Sequence, residues 1–221
     1  EEFMNIFLGY LLTYIYVFFI LIILGILKSK KIIKEQTSRK LVHILMGFTW
    51  IIMNYFFKIS IHMIILPITM VLFNYISYKF NIMKSMEQEK KESKGTIYYA
   101  LSFVIMAIIT YFYPSFLPFY GIGVFTLSIG DGLAPLIGNK FNKHKIGNTN
   151  KTYAGSLTVC LTTIIVIIIF KLYYNLDLSI FKIILLGMIS IPLELFNKKG
   201  SDNLTLPLGI SIISFLLERL V

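Results

Sequence analysis

Long apolar stretches, separated by short polar segments, make up almost the whole chain. Each stretch is close to the roughly 17–25 residues that a membrane-spanning α-helix needs. The pattern therefore predicts an all-α, polytopic membrane protein of about eight transmembrane helices, in a single domain over residues 1–221. The eight stretches are about 5–27, 41–57, 60–78, 96–113, 116–138, 154–170, 179–196 and 204–220.

The composition supports a membrane location. Hydrophobic residues make up 57% of the 221 residues, and the mean hydropathy is +0.77. A soluble domain of this size cannot bury so much apolar surface, so the bilayer must act as its solvent. Cys160 is the only cysteine, which excludes an internal disulfide and favours an inert core thiol. Met4 is a possible native start, in which case residues 1–3 are a remnant added ahead of it.

The basic residues are concentrated in alternate loops. Loops 28–40, 79–94, 139–151 and 197–203 hold 17 of the 21 lysines and arginines, and the loops between them are nearly uncharged. The positive-inside rule places the four basic loops in the cytoplasm and both termini outside. This arrangement explains the net charge of +10 without a nucleic-acid partner, and none is predicted.

Asp131 is the most informative single residue. It lies in the segment Gly130-Asp131-Gly132-Leu133-Ala134, inside an apolar stretch. An intramembrane carboxylate costs about 2.5–3.5 kcal/mol and by default marks a functional site. A bound divalent cation or a lysine would keep it charged, and the two glycines would allow a close approach of backbone or substrate. The alternative is a protonated aspartate buried where small residues pack helices together.

A second polar cluster, Lys151-Thr152-Tyr153-Ala154-Gly155-Ser156, opens the sixth stretch. A helix N-terminus presents free N–H groups and the positive end of the helix dipole, which favours phosphate. The basic loop before it, with Asn139 and Lys145, adds positive charge; anchoring to anionic lipid is the alternative role for its lysines. No Walker A pattern occurs in the sequence.

Other polar residues fall at the same, cytoplasmic ends of the spans. Arg39 and His43 are four residues apart and share a helix face, with Lys40 beside them. Each such group has a structural alternative, namely a solvated helix start, a hydrogen-bonded histidine or a helix cap. The remaining candidates are Glu92 before the fourth stretch, Glu194 after Pro192, and Asp202-Asn203 before the last stretch.

The convergence of these groups on one membrane face is the main functional signal. Acids hold Mg²⁺, cations and N–H groups neutralise phosphate charge, and a carboxylate orients an attacking hydroxyl. The sequence therefore predicts an active site for phosphoryl transfer at the cytoplasmic face.

Four motifs follow one another along the chain: Arg39-Lys40-x-x-His43, Gly130-Asp131-Gly132-x-Ala134, Lys151-Thr152-x-x-Gly155-Ser156 and Asp202-Asn203-Leu204-Thr205-x-Pro207. In order and rough spacing they resemble the polyprenol kinase family, which includes dolichol kinase, phytol kinase and the CTP-dependent diacylglycerol kinase, within the phosphatidate cytidylyltransferase-like superfamily. The resemblance covers about residues 38–210, and the second and third motifs are its specific part. Asn142 and Ser201 depart from it, where many relatives have a glycine and an aspartate.

The resemblance implies an integral membrane kinase that uses CTP and Mg²⁺ to phosphorylate a lipid alcohol. Asp131 and Asp202 would bind Mg²⁺. The implied catalytic residues are Asp131, His43, Arg39, Lys40 and Glu92. The implied contacts to CTP are Gly130, Gly132, Asn139, Lys145, Lys151, Thr152, Gly155, Ser156 and Asn203.

Two other functions compete with this interpretation. A phosphatidate cytidylyltransferase also uses CTP, but its usual Lys-Arg and Lys-Asp dipeptides are absent from the sequence. A small ion-coupled transporter would use Asp131 and Glu194 as coupling carboxylates, although such sites usually lie near the bilayer midplane. The second and fourth motifs look closest to the phytol kinase branch, which favours an isoprenoid alcohol over diacylglycerol. The high Ile, Lys and Asn content indicates a bacterial plasma membrane.

Overall fold

The computed structural model describes residues 2–80, 94–141, 144–147, 149, 151–195 and 200–220. Within these ranges the chain is helical, apart from loops and one isolated antiparallel bridge between Lys145 and Thr152. The helices are α1 (Glu2–Ser29), α2 (Glu35–Met46), α3 (Thr49–Phe57), α4 (His62–Phe80), α5 (Gly95–Phe112), α6 (Leu117–Phe125), α7 (Gly132–Phe141), α8 (Tyr153–Tyr174), α9 (Ile180–Leu195) and α10 (Asp202–Arg219).

The prediction of an all-α, polytopic membrane protein is confirmed. Every predicted stretch contains a helix, and in the described part of the chain six segments are long and apolar enough to cross a membrane. The other two predicted stretches correspond to α9 and α10, which this measure does not count. The α9 helix has only 16 residues, and α10 begins with Asp202 and ends with Arg219, which lowers its mean hydropathy. Both helices nevertheless pack in the bundle: α9 packs against α8 and α10, and α10 also packs against α5 and α6.

Two predicted spans are divided. The second consists of α2 and α3, and α2 begins at Glu35, six residues before the predicted start. The fifth consists of a 3₁₀ turn at Pro114–Phe116, helix α6, a π-helical segment at Thr126–Asp131, and α7. Hydrophobic periodicity does not reveal these breaks because the apolar pattern continues through them.

The fifth span forms the centre of the bundle and is the most deeply buried of the six, whereas α1 is the least buried. Glycines on α6 allow the neighbouring helices to approach it closely, as is usual in membrane bundles. A Cβ atom on Gly121 would lie 2.3 Å from the ring of Phe170, and one on Gly123 would lie 2.6 Å from the carbonyl of Pro207. This packing fixes the central span, and with it the segment that carries Asp131.

Candidate active site

Asp131 lies at the end of the π-helical segment, with 3% of its surface exposed. Its carboxylate contacts Lys40 Nζ at 3.0 Å, Lys151 Nζ at 3.4 Å and His43 Nε2 at 3.5 Å. A charged group can be buried in a membrane protein only when it is paired in this way. The structure therefore brings together four of the predicted site residues from three separate parts of the chain.

The local sequence explains how Lys40 reaches this position. Pro135 has no N–H to donate to the Asp131 carbonyl four residues earlier, so that carbonyl lacks its usual helical donor. Lys40 Nζ donates to it at 3.2 Å. Single π-helical turns of the kind seen at Thr126–Asp131 often occur at functional sites, because they change the direction of one side chain within a helix.

His43 is held by contacts on two sides. Its Nε2 atom lies 3.3 Å from the Leu127 carbonyl, and because a carbonyl can only accept, this contact places a proton on Nε2. Tyr99 packs its ring edge-on against the imidazole at 4.7 Å and donates its hydroxyl to the His43 carbonyl at 3.1 Å. The sequence analysis did not select Tyr99, because a tyrosine in an apolar span is ordinarily a packing residue.

Lys151 lies among three carboxylates just before α8. Its Nζ atom is 2.6 Å from Glu194 Oε1, 3.0 Å from Asp202 Oδ2 and 3.4 Å from Asp131 Oδ1. Burial by itself lowers the pKa of Lys151, but the carboxylates of Asp131, Asp202 and Glu194 outweigh it and raise the pKa above its ordinary value. Lys151 therefore remains a cation and links three helices through their acidic groups.

Glu194 lies outside the four motifs and was named from the sequence only as a candidate without an assigned role. It is 1% exposed, and its Oε2 atom accepts a hydrogen bond of 3.1 Å from Ser156 Oγ. Its other oxygen accepts no hydrogen bond of ordinary geometry in the described residues, although Lys151 Nζ lies beside it. The available signal was a carboxylate within an apolar stretch, two residues after Pro192.

The N-terminus of α8 is partly occupied by its own loop. Thr152 is the N-cap, and its Oγ1 atom accepts a hydrogen bond of 3.1 Å from the Gly155 N–H. The Ser156 N–H donates to the Thr152 carbonyl, and the Tyr153 N–H donates to the His144 carbonyl. These amides already have partners, so the positive group that this helix end presents to the cavity is the side chain of Lys151.

The two glycines beside Asp131 differ in their surroundings. A Cβ atom on Gly132 would lie 2.3 Å from Ile44 Cγ1, so this glycine lets α2 approach α7 closely enough for Lys40 to reach Asp131. A Cβ atom on Gly130 would lie 3.6 Å from Val159, an ordinary van der Waals distance. The close approach at Gly132 is therefore to the side chain of Ile44 on a neighbouring helix, and the predicted approach of substrate stays a prediction.

Most of the predicted site residues line one cavity of about 1000 Å³. Asn203 also donates its side-chain amide to the Gly95 carbonyl at 2.9 Å, which joins α10 to the start of α5. The predicted residues that line the cavity are Arg39, Lys40, His43, Asp131, Asn139, Lys151, Thr152, Gly155, Asp202 and Asn203.

Other predicted residues lie elsewhere. Lys145 is exposed on the loop, and Gly130 and Gly132 are buried between helices. Ser156 faces Glu194, and Glu92 lies outside the described residues. The cavity also has a large apolar part between α1, α3, α4 and α5, so it joins a charged region to a hydrocarbon-like one.

The acidic residues fit a magnesium ion only in combination with a bound nucleotide. Within the described ranges, no group of three or more His, Cys, Asp or Glu side chains is arranged to hold a metal by itself. Asp131 and Asp202 both approach the same Lys151 Nζ, so their oxygens face one point. Mg²⁺ is usually held by one or two carboxylates together with substrate phosphates, and Asp131 and Asp202 are two carboxylates on that scale.

The curated proteins that show significant similarity to the chain include three phytol kinases or probable phytol kinases. It is 34% identical over 146 residues to the phytol kinase of Synechocystis sp., an alignment that covers 63% of this chain and 61% of that protein. It is 24% identical over 213 residues to phytol kinase 1, chloroplastic, of Arabidopsis thaliana, covering 86% of this chain and 69% of the relative. It is also 24% identical over 217 residues to a probable phytol kinase 1, chloroplastic, of Oryza sativa subsp. japonica, covering 86% and 67%.

The similarity is to individual curated proteins. No family model matches the chain, and no solved structure matches it. The chain spans 61% of the length of the Synechocystis relative. Similarity to the phytol kinases nevertheless agrees with the resemblance to the polyprenol kinase family on which the four motifs were interpreted.

Proposed function

We propose that this protein is a CTP-dependent lipid-alcohol kinase, which transfers the γ-phosphoryl group of CTP to an alcohol in the membrane. One observation carries the proposal: Asp131, buried within a membrane span and paired with Lys40 and Lys151, faces a cavity that is charged in one part and apolar in the other. A phosphoryl donor needs the charged part, and a lipid needs the apolar part.

The lysines are placed to neutralise a phosphate chain. Phosphoryl transfer depends mainly on positioning and on electrostatic stabilisation of the equatorial oxygens. Lys40 on α2 and Lys151 just before α8 both contact Asp131, and Arg39 lines the same cavity. In the proposed complex these three cations contact the β- and γ-phosphates, while Asp131 keeps the two lysines in register.

The reaction transfers one phosphoryl group from donor to acceptor. The alcohol oxygen forms a bond to the γ-phosphorus, and the bond from that phosphorus to the β,γ-bridging oxygen breaks. CDP leaves with the electron pair of that bond. The proton of the alcohol passes to His43 or to a carboxylate of the cluster, and both lie on the cavity wall next to its apolar part.

Magnesium would neutralise the phosphate charge and orient the donor when it is bound with the nucleotide. Asp131 and Asp202 are the residues that would hold it, because their oxygens approach a common point. Lys151 lies at that point and would have to give up part of its contact with them, while Glu194 keeps it within the site.

The acceptor is proposed from the relatives and from the apolar cavity. The curated relatives carry the name phytol kinase, and phytol is an isoprenoid alcohol. An isoprenoid alcohol of the phytol or polyprenol type is therefore the proposed substrate, with diacylglycerol as the other lipid alcohol to test. The preference for CTP rests on the resemblance to the polyprenol kinases.

Phosphate transfer by the purified protein in detergent tests the proposal. The protein is incubated with Mg²⁺, γ-labelled CTP or ATP, and a panel of prenols, phytol and diacylglycerol. We expect label in a prenol or phytol with CTP as donor, and at least a 100-fold loss in Asp131→Asn. Asp177→Asn is a matched control, because Asp177 is an exposed acid away from the cavity.

Other results would identify a different function. Release of pyrophosphate from CTP with phosphatidate, without label in any alcohol, would indicate a cytidylyltransferase. Solute uptake into proteoliposomes without nucleotide would indicate a transporter. An Asp131→Asn variant that still transfers phosphate from CTP at the wild-type rate would contradict the proposed active site.

A further inference from the structure

The apolar part of the cavity, called the chamber below, is continuous with the charged part. It lies between α1, the α2–α3 pair, α4 and α5, and His43 and Asp131 line the same cavity. Its walls carry the side chains expected around a hydrocarbon chain. The apolar residues that line it are Val17, Leu21, Val42, Met46, Met53, Leu66, Pro67, Met70, Phe73, Ala100 and Phe103.

The chamber is closed at the end away from Asp131. Thr13 and Met53 line it and are 0% exposed, and Leu66 lines it and is 2% exposed. A passage to the exterior at this end would expose at least one of them. Thr13 donates its hydroxyl to the Gly9 carbonyl within its own helix at 2.7 Å, so its polar group is already satisfied. These three residues form an apolar floor.

Two helices give the same depth for the chamber. Leu66 lies eight residues before Asn74 on α4, and Thr13 lies eight residues before Leu21 on α1, and all four residues line the cavity. At 1.5 Å per helical residue each separation is about 12 Å. An extended chain of single bonds covers about 1.2 Å per bond, as in a three-bond peptide residue of 3.3–3.6 Å. About 10 bonds of an extended tail therefore fit along this length.

We propose that this chamber holds one hydrocarbon tail of the alcohol substrate, and that Thr13, Met53 and Leu66 set the tail length that the protein prefers. The proposal rests on the proposed function for the position of the hydroxyl group, which lies at Asp131 and His43. Tails longer than the chamber must fold or leave it between helices, whereas shorter tails leave part of it unfilled. Either mismatch weakens binding.

The cavity has to accommodate two kinds of group at once. Its volume of about 1000 Å³ is shared between the charged part, where the phosphates of the donor would lie, and the apolar part. A single-chain alcohol places one tail in the apolar part, whereas diacylglycerol has to place two. A single-chain alcohol is therefore the expected ligand of the chamber.

Binding of labelled prenols of 10, 15 and 20 carbons tests the proposal without relying on catalysis. The floor is lowered in Met53→Ala and, separately, in Leu66→Ala. We expect the ratio of affinities for the 20-carbon and 10-carbon prenols to rise at least fivefold in both variants. Ile51→Ala and Ile65→Ala are matched controls on the same helices, because both side chains face outward, and they should leave the ratio unchanged.

A variant that adds volume guards against simple loss of folding. Ala100 is 5% exposed and lines the chamber, five residues after the start of α5. Ala100→Leu should shorten the available length and lower the same ratio at least fivefold. Because the floor variants and Ala100→Leu are expected to change the ratio in opposite directions, general destabilisation cannot imitate the result.

The outcomes for the chamber and for the kinase are distinguishable. Length-dependent binding that shifts as expected supports the chamber, even if no alcohol is phosphorylated and the kinase proposal fails. Phosphate transfer together with an unchanged ratio in the floor variants and in Ala100→Leu contradicts the chamber and leaves the kinase intact. Equal affinity for diacylglycerol and a 15-carbon prenol would also contradict it.

Discussion

Lys40 contacts Asp131 twice, donating to its carboxylate at 3.0 Å and to its main-chain carbonyl at 3.2 Å. The second contact depends on Pro135, which cannot supply the helical N–H that this carbonyl would otherwise receive. One lysine therefore fixes both the position and the charge of the central acid. The missing N–H of Pro135 and the side chain of Lys40, 91 positions before Asp131 in the chain, therefore both act on Asp131.

Replacing Lys40 should affect catalysis strongly. In Lys40→Met, Asp131 loses its shortest ion pair and the phosphate loses a cation, so we expect kcat/KM to fall by about 100-fold to 1000-fold, as when one transition-state donor is removed. The measurement is phosphate transfer to the preferred alcohol at saturating donor. Lys30→Met is the control, since Lys30 is an exposed lysine of the adjacent loop, and it should retain normal activity.

Pro135→Ala should separate stability from activity. Alanine restores an N–H that competes with Lys40 for the Asp131 carbonyl, and proline inside a helix ordinarily costs about 3 kcal/mol relative to alanine. We expect the apparent Tm in detergent to stay the same or rise, while kcat/KM falls by about tenfold. Normal activity in a folded Pro135→Ala protein would show that the second Lys40 contact is dispensable.

The sequence was sufficient to predict the membrane fold and most of the charged cluster. Asp131 and Lys151 were identifiable because a buried acid in a span and a lysine before a helix start are costly or distinctive on their own. The contact between Lys40 and Asp131 was harder to predict from the sequence, since it depends on a π-helical segment that the apolar pattern does not reveal. Glu194 was identifiable only as a lone acid, because its partners Ser156 and Lys151 are about 40 residues away in sequence.

The two glycines beside Asp131 provide a matched pair of substitutions. Gly132→Ala would place a methyl group 2.3 Å from Ile44 Cγ1 and push α2 away from Asp131, so we expect at least a tenfold loss of kcat/KM and a lower apparent Tm. Gly130→Ala meets only ordinary contacts with Val159 and should keep both near normal. If Gly130→Ala is the more damaging of the two, the glycines do not act through helix packing.

The charge pattern predicts which loops face the cytoplasm. In a variant in which Cys160 is replaced by alanine, a single cysteine is introduced in place of Lys31, in a basic loop, or in place of Lys58, in a nearly uncharged one. We expect a membrane-impermeant thiol reagent to label Lys58→Cys in intact cells and Lys31→Cys only after permeabilisation. The reverse pattern would place the active site on the outer face and exclude cytoplasmic CTP as its donor.

The effects of substituting Lys151 and Glu194 should be non-additive in stability, whereas the loss of activity should depend on Lys151 alone. Removing one partner of a buried ion pair costs about 3–5 kcal/mol, and partial exposure of the Lys151 side chain, 29%, lowers the expected loss in Lys151→Met to about 2 kcal/mol. Adding Glu194→Gln removes one of the unpaired carboxylates, so the double variant should regain part of the apparent Tm. It should remain as inactive as Lys151→Met, because the phosphate still lacks its cation.

The pKa of Lys151 fixes how this stabilisation depends on pH. Burial lowers that pKa, but Asp131, Asp202 and Glu194 raise it to a net value above the ordinary 10.5. A raised pKa means that the stabilisation is fully present below the ordinary value and is lost only as the pH rises through the folded-state value. The difference in apparent Tm between wild type and Lys151→Met should therefore stay constant from about pH 7 to about pH 9. A difference that shrinks over this range would show that Lys151 loses its proton there, and that the three carboxylates do not hold it as a cation.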